Sequence, residues 1–277
     1  MHCIKPLYKD IHILALHGFT GGGADFSAFI SYCDQDLNWT CPDLPGHGRN
    51  PMLDCSSEAM IDFIEAQRMH MIASSAGAGD DASSSSSECI RRVLLAYSMG
   101  ARAALQHACA FPDRWDALIL ISSNPGIEKA EERIERRKED ENLVAELKKS
   151  GLQNFMKRWQ EQPLIRSQKN ILPAYFDVMQ ETRREHQIEG LTASLTQFGQ
   201  GSAPNLWDHL PKLNLPVLVI AGSMDNKYQR IGARIDERLP QSKFVEIEGA
   251  SHMPHLEKPQ ITAEVIHSFL SELVSPI

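Results

Sequence analysis

The stretch from Val93 to Arg102, VLLAYSMGAR, carries the strongest chemical signal in the chain. An apolar run meets a helical pattern there through a turn in which Ser98 stands between the small residues Ala96 and Gly100. A sharp strand-to-helix turn of this kind lifts a serine hydroxyl above a sheet and aims a helix N-terminus at it. The more usual first glycine is Ala96, a departure that still permits close strand-helix approach. A serine hydroxyl is a weak nucleophile or base at neutral pH, so it needs an imidazole to take its proton and a carboxylate to fix that imidazole's tautomer. Asp225 follows the apolar run 216–221 through Gly222-Ser223-Met224, and His252 follows Gly249-Ala250-Ser251. Serine, acid, base is the chain order expected of such a site. Asp208 and His255 are the rivals. Asp208 precedes its strand, and His255 lies beyond the short loop, where a surface or pocket-wall position suits it better.

A second glycine-rich stretch, His17-Gly18-Phe19-Thr20-Gly21-Gly22-Gly23, ends the first apolar run. The backbone N–H groups of Phe19 and Met99 are then placed to stabilise negative charge developing on a substrate oxygen. The same stretch also reads as a plain turn or a phosphate cradle, although no G-x-x-x-x-G-K-[ST] accompanies it.

These groups need a scaffold that presents loops at one edge. Short β-rich runs at Ile11 to Leu16, Trp39 to Asp43, Val93 to Ala96, Ala117 to Ile121, Val217 to Ala221 and Phe244 to Ile247 alternate with helical patterns. That rhythm predicts an α/β fold with a mostly parallel central sheet flanked by helices, and turn residues follow most runs at their carboxyl ends. Residues 1–126 and 211–277 read as the core. Between 127 and 210 no strand-like run appears but helical periodicity does, which predicts an inserted helical lid whose first part is rich in charges of both signs. Residues 74–87, SSAGAGDDASSSSS, hold nothing apolar larger than alanine and read as a flexible surface loop.

At 277 residues the chain accommodates one large core with an insertion. A formal charge of -8 gives no long-range attraction to nucleic acid or anionic lipid, so an anionic substrate needs a local arginine cluster. The six cysteines show no zinc spacing, which predicts reduced thiols, no metal and no cofactor. The longest early apolar run, Ile13 to Leu16, is too short for a signal core or membrane span, so a cytoplasmic protein is expected. Oligomeric state is not legible, and a monomer is compatible.

Taken together, HGFTGG, DLPGHG, YSMGAR and GASH resemble the α/β-hydrolase superfamily across nearly the whole chain. Ser122 to Ile127 with Glu131-Glu132-Arg133, Trp159 to Pro163, Leu191 to Leu195 with Gly199-Gln200-Gly201, and Gly222 to Tyr228 are similar to the SHCHC synthase family of menaquinone biosynthesis. The resemblance implies a lyase that converts 2-succinyl-5-enolpyruvyl-6-hydroxy-3-cyclohexene-1-carboxylate into 2-succinyl-6-hydroxy-2,4-cyclohexadiene-1-carboxylate (SHCHC) and pyruvate. It also implies that Arg102, Arg133 and Arg183 hold the carboxylates of this small tricarboxylate, with Arg184 the alternative to Arg183. Tyr97 and Trp159 are the implied pocket walls, and Lys227 and Tyr228 are further substrate contacts. A carboxylesterase or carbon-carbon bond hydrolase would use the same triad, and a non-catalytic ligand-binding protein would need none of it.

Overall fold

Alternate residues of each apolar run part to opposite faces of one sheet. In the computed structural model, which describes residues 10–50, 52–76 and 90–274, the strands are β1 (Ile11–Leu16), β2 (Asn38–Thr40), β3 (Arg91–Tyr97), β4 (Ala117–Ile121), β5 (Val217–Gly222) and β6 (Ser242–Ile247). Their order is β2-β1-β3-β4-β5-β6, and every pairing is parallel. Parallel sheets are covered on both faces, which is why β4, ALILI, is buried at every position. The strand expected at Trp39 to Asp43 is shorter in the structure, because the backbone beyond Thr40 turns away to form the DLPGHG loop.

The helices are α1 (Phe26–Ile30), α2 (Ser57–Ala76), α3 (Met99–Ala110), α4 (Ala130–Trp159), α5 (Pro173–Glu185), α6 (Ile188–Phe198), α7 (Asn226–Arg238), α8 (Pro254–Glu257) and α9 (Pro259–Val274). Leu14, Leu16, Leu94 and Leu120 pack on one face with Met60 and Ile64 of α2 and Leu105 of α3. On the other face, Ile13, Leu95 and Ile119 pack with Phe29 of α1 and Ile266 and Leu270 of α9. Each such buried side chain contributes about 1.5 to 3 kcal/mol relative to exposure. Three helices, α4 to α6, occupy the connection between β4 and β5 and carry a small apolar cluster of their own, built on Leu147, Phe155, Met156 and Leu191. The serine-rich stretch begins on the last turn of α2, and 77–87 lies outside the described residues. Among the described residues no helix is long and apolar enough to cross a membrane.

The loops after β1 and β2 are tied together by buried polar groups. Asp43 accepts from the Gly23 N–H at 2.8 Å and from the Arg49 N–H at 2.9 Å. His17 Nε2 accepts the Leu44 N–H at 2.9 Å, so its ring proton sits on Nδ1 and is donated to the Gly18 carbonyl at 2.8 Å. His47 lies edge-on to His17, with ring centroids 5.2 Å apart, and His186 of the segment after α5 accepts the Gly48 N–H at 2.8 Å. Burial holds the His17 imidazole down to about 4, pushes His47 well below the ordinary range and lowers His186.

Two outcomes follow from this packing. A Cβ on Gly100 would lie 2.5 Å from the Leu16 carbonyl oxygen and 2.6 Å from that of His17. Gly100→Ala should therefore cost about 1 to 3 kcal/mol, read as a Tm lowered by roughly 5 °C; an unchanged Tm would mean that α3 is not seated on β1. The second outcome concerns pH. A histidine whose folded pKa is depressed contributes stability present above the unfolded value near 6.5 and lost as pH falls through the folded one. His17, at about 4 when folded, should cost about 2 kcal/mol between pH 7 and 5. His47 and His186 act in the same direction, while the Asp25 carboxyl, pushed up to about 6 by burial, acts in the opposite one. Three groups outweigh one, so calorimetry should show Tm falling from pH 7 to 5 with net proton uptake on unfolding. Net proton release in that window would refute the account.

Candidate active site

Ser98 sits where β3 stops and α3 starts, at φ 53 and ψ -108, a positive φ that a serine adopts only under constraint. Its own N–H donates to the Ile121 carbonyl of β4 at 2.9 Å, and the Gly100 N–H donates to the His17 carbonyl at 3.1 Å. These bonds pin the turn to both neighbouring strands and leave the hydroxyl above the sheet. Ser98 Oγ lies 3.2 Å from His252 Nε2, and His252 Nδ1 lies 2.8 Å from Asp225 Oδ2. Asp225 begins α7 and also accepts the Tyr228 N–H at 3.2 Å, so its carboxylate is held from both sides. Ser122 Oγ donates to the His252 carbonyl at 2.9 Å. His252 and Asp225 are buried, which strengthens their hydrogen bond relative to one in water.

The two rivals lie elsewhere. Asp208 is exposed on a 3-10 turn spanning Trp207–Lys212. His255 is buried in the pocket wall, its ring 4.8 Å from that of Tyr97, and burial drives its pKa down to about 3. It therefore serves as a neutral wall group.

The Phe19 and Met99 amides find no partner among the described residues. His17 explains how the first of them is aimed. The Gly18 carbonyl and the Phe19 N–H belong to one planar trans peptide, so fixing the carbonyl toward His17 Nδ1 turns the N–H the opposite way. His17 is a contributor that residue-type reasoning did not single out, and its signal was the His-Gly pair at the strand end.

Ser98, His252 and Phe19 open into a cavity of about 420 Å³ between the sheet edge and helices α4 to α6. Tyr97, Met99, Arg102, Trp159, Arg183, Lys227 and Tyr228 all line it. Arg102 is buried, donates from Nη2 to the Phe198 carbonyl at 2.7 Å, and leaves Nε without a partner. Arg183 is buried too, donates from Nη2 to Gln168 Oε1 at 2.6 Å, and leaves Nε and Nη1 without partners. Burial brings both guanidinium groups down to about 10, still charged at neutral pH. Neither is ion-paired among the described residues. Asp25 acts on Arg183 and Asp140 on Arg102 without direct pairing, but buried donors left without partners are costly, so they mark places where an anion would be stabilised.

Of the two adjacent arginines, Arg183 lines the cavity and Arg184 is exposed. Arg133 does not line the cavity; Arg136, one helical turn later on α4, does. Before Gly151 the lining positions of α4 are Arg136, Glu139, Asp140, Asn142, Leu143 and Glu146, one helical face on which Arg133 has no place. Arg136 pairs with Asp140 at 2.8 Å and donates to Gln200 Oε1 at 3.1 Å. Lys227 is lowered by burial and by Arg136, and its Nζ lies 5.7 Å from the Tyr228 ring centre. Tyr228 packs 4.5 Å from the His252 ring, and its hydroxyl accepts from Gln200 at 3.2 Å. Tyr97 lies against His252 at 5.4 Å, while Trp159 stands edge-on to Phe19 at 5.3 Å with its Nε1 unpartnered. Asp25 and Gln168 complete the wall near Arg183. Among the described residues no cluster of His, Cys, Asp or Glu could hold a metal ion.

Similar proteins match this chain over comparable lengths. A Bacillus subtilis (strain 168) protein provisionally named 2-succinyl-6-hydroxy-2,4-cyclohexadiene-1-carboxylate synthase is 29% identical over 262 residues, covering 94% of this chain and 90% of its own. The protein of that name from Serratia proteamaculans (strain 568) is 27% identical over 264 residues, covering 93% and 92%. The solved structure of MenH from S. aureus superimposes with a TM-score of 0.82 at 24% identity, over 96% of this chain and 95% of that one. The Alpha/beta hydrolase family model matches residues 13–265, from within β1 to within α9. With its six parallel strands, its serine at the β3–α3 turn and that match over most of its length, the chain belongs to the alpha/beta hydrolase family.

Proposed function

We propose that this chain is a carbon-oxygen lyase of menaquinone biosynthesis, eliminating pyruvate from 2-succinyl-5-enolpyruvyl-6-hydroxy-3-cyclohexene-1-carboxylate to give SHCHC. One observation carries the reading: two buried, unpaired guanidinium groups, Arg102 and Arg183, share a cavity with a serine hydrogen-bonded to a histidine. A neutral ester needs no such groups, whereas a tricarboxylate does. The names of the relatives point the same way.

In this reading Ser98, His252 and Asp225 act as a base rather than as an acyl-transfer relay. The ring proton beside the succinyl ketone is also allylic, so its loss gives a delocalised enolate. Ser98 Oγ takes that proton as His252 Nε2 takes the hydroxyl proton, and Asp225 stabilises the imidazolium that forms. The Phe19 and Met99 amides hold the enolate oxygen. Electrons return across the ring, the carbon-oxygen bond to the enolpyruvyl group breaks, and the released enolate takes a proton at its terminal carbon to become pyruvate. Arg102, one helical turn after Ser98, and Arg183, on the opposite wall, fix substrate carboxylates relative to that proton. Residues 127–210 act as the lid over a core formed by 1–126 and 211–277. A cytoplasmic location belongs to the same proposal, and the free thiols of Cys33, Cys41, Cys55 and Cys109 are in keeping with it.

Incubation with the enolpyruvyl substrate should raise diene absorbance and pyruvate in step; ester hydrolysis without pyruvate would overturn the reading. Ser98→Ala, His252→Ala and Asp225→Asn should each lower kcat by orders of magnitude in folded protein, because the three act as one unit. A well-folded Ser98→Ala protein with wild-type turnover would exclude the base assignment. Arg102→Lys keeps the charge but loses the planar fork, and Arg102→Ala loses both. The loss in kcat/KM should be graded, Ala worse than Lys, with about 2 to 5 kcal/mol for the truncation. Hydrolysis of a neutral ester should change little in either variant. Equal loss of both activities would make Arg102 a support for the elbow rather than a substrate contact.

A further inference from the structure

His252 is carried on a loop that has little regular structure of its own, yet its ring must sit within hydrogen-bonding reach of two groups on other strand ends. One carboxylate outside the triad grips that loop on both sides of the ring. Glu257, at the end of α8, accepts the Ser251 N–H on Oε2 at 2.7 Å and the Met253 N–H on Oε1 at 3.1 Å. Those amides immediately precede and follow His252. A third donor comes from the β4–β5 connection, where Ser167 Oγ donates to Oε1 at 2.9 Å. The neighbouring Gln168 donates to Met253 Sδ at 2.9 Å and accepts from Arg183 at 2.6 Å. Glu257 is 9% exposed, so its three bonds form in a largely dry setting where a carboxylate acts as a strong acceptor. The loop therefore owes its position to a charge that does not touch Ser98 and does not itself line the cavity.

We propose that Glu257 is a positioning residue for His252, and that through Ser167 it ties the placement of this base to the segment that also holds Arg183. The geometry accounts for both halves. Two flanking amides bound to one rigid carboxylate fix the backbone on either side of the ring, so the imidazole cannot drift from the line between Ser98 and Asp225. Ser167 and Gln168 are adjacent, so the support of the base loop and the support of Arg183 move together. The proposal rests on His252 being the base and not on which substrate fills the cavity.

The test reads Ser98 directly, without the enolpyruvyl substrate. A small fluorophosphonate reacts with a serine only when a base withdraws its proton, and the labelling rate is followed by intact mass. Glu257→Gln keeps the shape but sets an NH₂ group against an amide donor, and should slow labelling at least about tenfold, with the pyruvate-releasing kcat falling and KM nearly unchanged. Ser167→Ala should slow labelling about threefold in the otherwise native chain and not at all in the Glu257→Gln background, since both changes act on one element. Glu257→Gln labelled at the native rate, or two losses that simply multiply in the double variant, overturns the proposal even where Tm has fallen. Should Glu257→Gln not fold, Ser167→Ala decides: a native labelling rate overturns the proposal, and a slowed rate at native Tm supports it. Normal labelling in the native chain without pyruvate release would instead count against the proposed lyase reaction and leave this inference standing.

Discussion

Helix α3 begins with its backbone pressed against the carbonyl oxygens of Leu16 and His17 at the end of β1. That contact is possible because Gly100 has no side chain. The turn holding Ser98 at positive φ follows from the same approach, since the chain must reverse direction between β3 and a helix already seated on its neighbour. His17, whose carbonyl belongs to that edge, also fixes the peptide between Gly18 and Phe19 through its ring. Serine strain, amide direction and helix placement are thus one constraint expressed three times. Strain of this kind persists only where the surroundings over-determine the backbone, and here two strands and a helix do so.

Electrostatically the site runs against its surroundings. The chain carries a formal charge of -8, and its acidic residues lie mostly at the surface. Within the cavity that acidic excess disappears: Arg102, Arg136, Arg183 and Lys227 face Asp25, Glu139, Asp140 and Glu146, and while Arg136 pairs with Glu139 and Asp140, Arg102 and Arg183 make no ion pair among the described residues. Low dielectric makes this local field count for more than the distant surface charge, which salt screens over about 10 Å. The buried imidazoles His17, His47, His186 and His255 are all held neutral by burial, so they support the loops without adding positive charge to the pocket.

What the amino-acid order reveals depends on the range of the interaction. Strand runs are local, and β1 and β4 match the apolar runs residue for residue, because burial on both faces leaves no polar position in β4 and only His12 in β1. The serine turn is local as well. Ser98, Asp225 and His252 could be ordered along the chain because each ends a strand of the same sheet. The arginines of the β4–β5 connection are harder. Whether Arg133 or Arg136 faces the cavity depends on where a 30-residue helix crosses its rim, and nothing in its mixed-charge surface marks that point. Arg183 and Arg184 were equally undecided until the helix phase was known. Glu257 was invisible for another reason: a glutamate that binds backbone amides looks in sequence like any surface carboxylate near the C-terminus.

Helix α4 is interrupted at Gly151, where φ is 75 and ψ is 163 and a Cβ would meet nothing within 4 Å. No crowding demands glycine there; only the backbone angles do. Before the break lie Arg136 and Asp140, and after it lies Trp159 backed by Phe155, yet the two segments are tied together across it, since Leu147 packs with Phe155 and Met156 and Glu146 pairs with Arg158. Asp140 holds the first segment in place through its ion pair with Arg136 and the Gly201 N–H that it accepts, and the contacts across the break pass that anchoring on to the second. The charged and the aromatic walls of the cavity are therefore one mechanical unit, and a substitution on either segment is felt by the other.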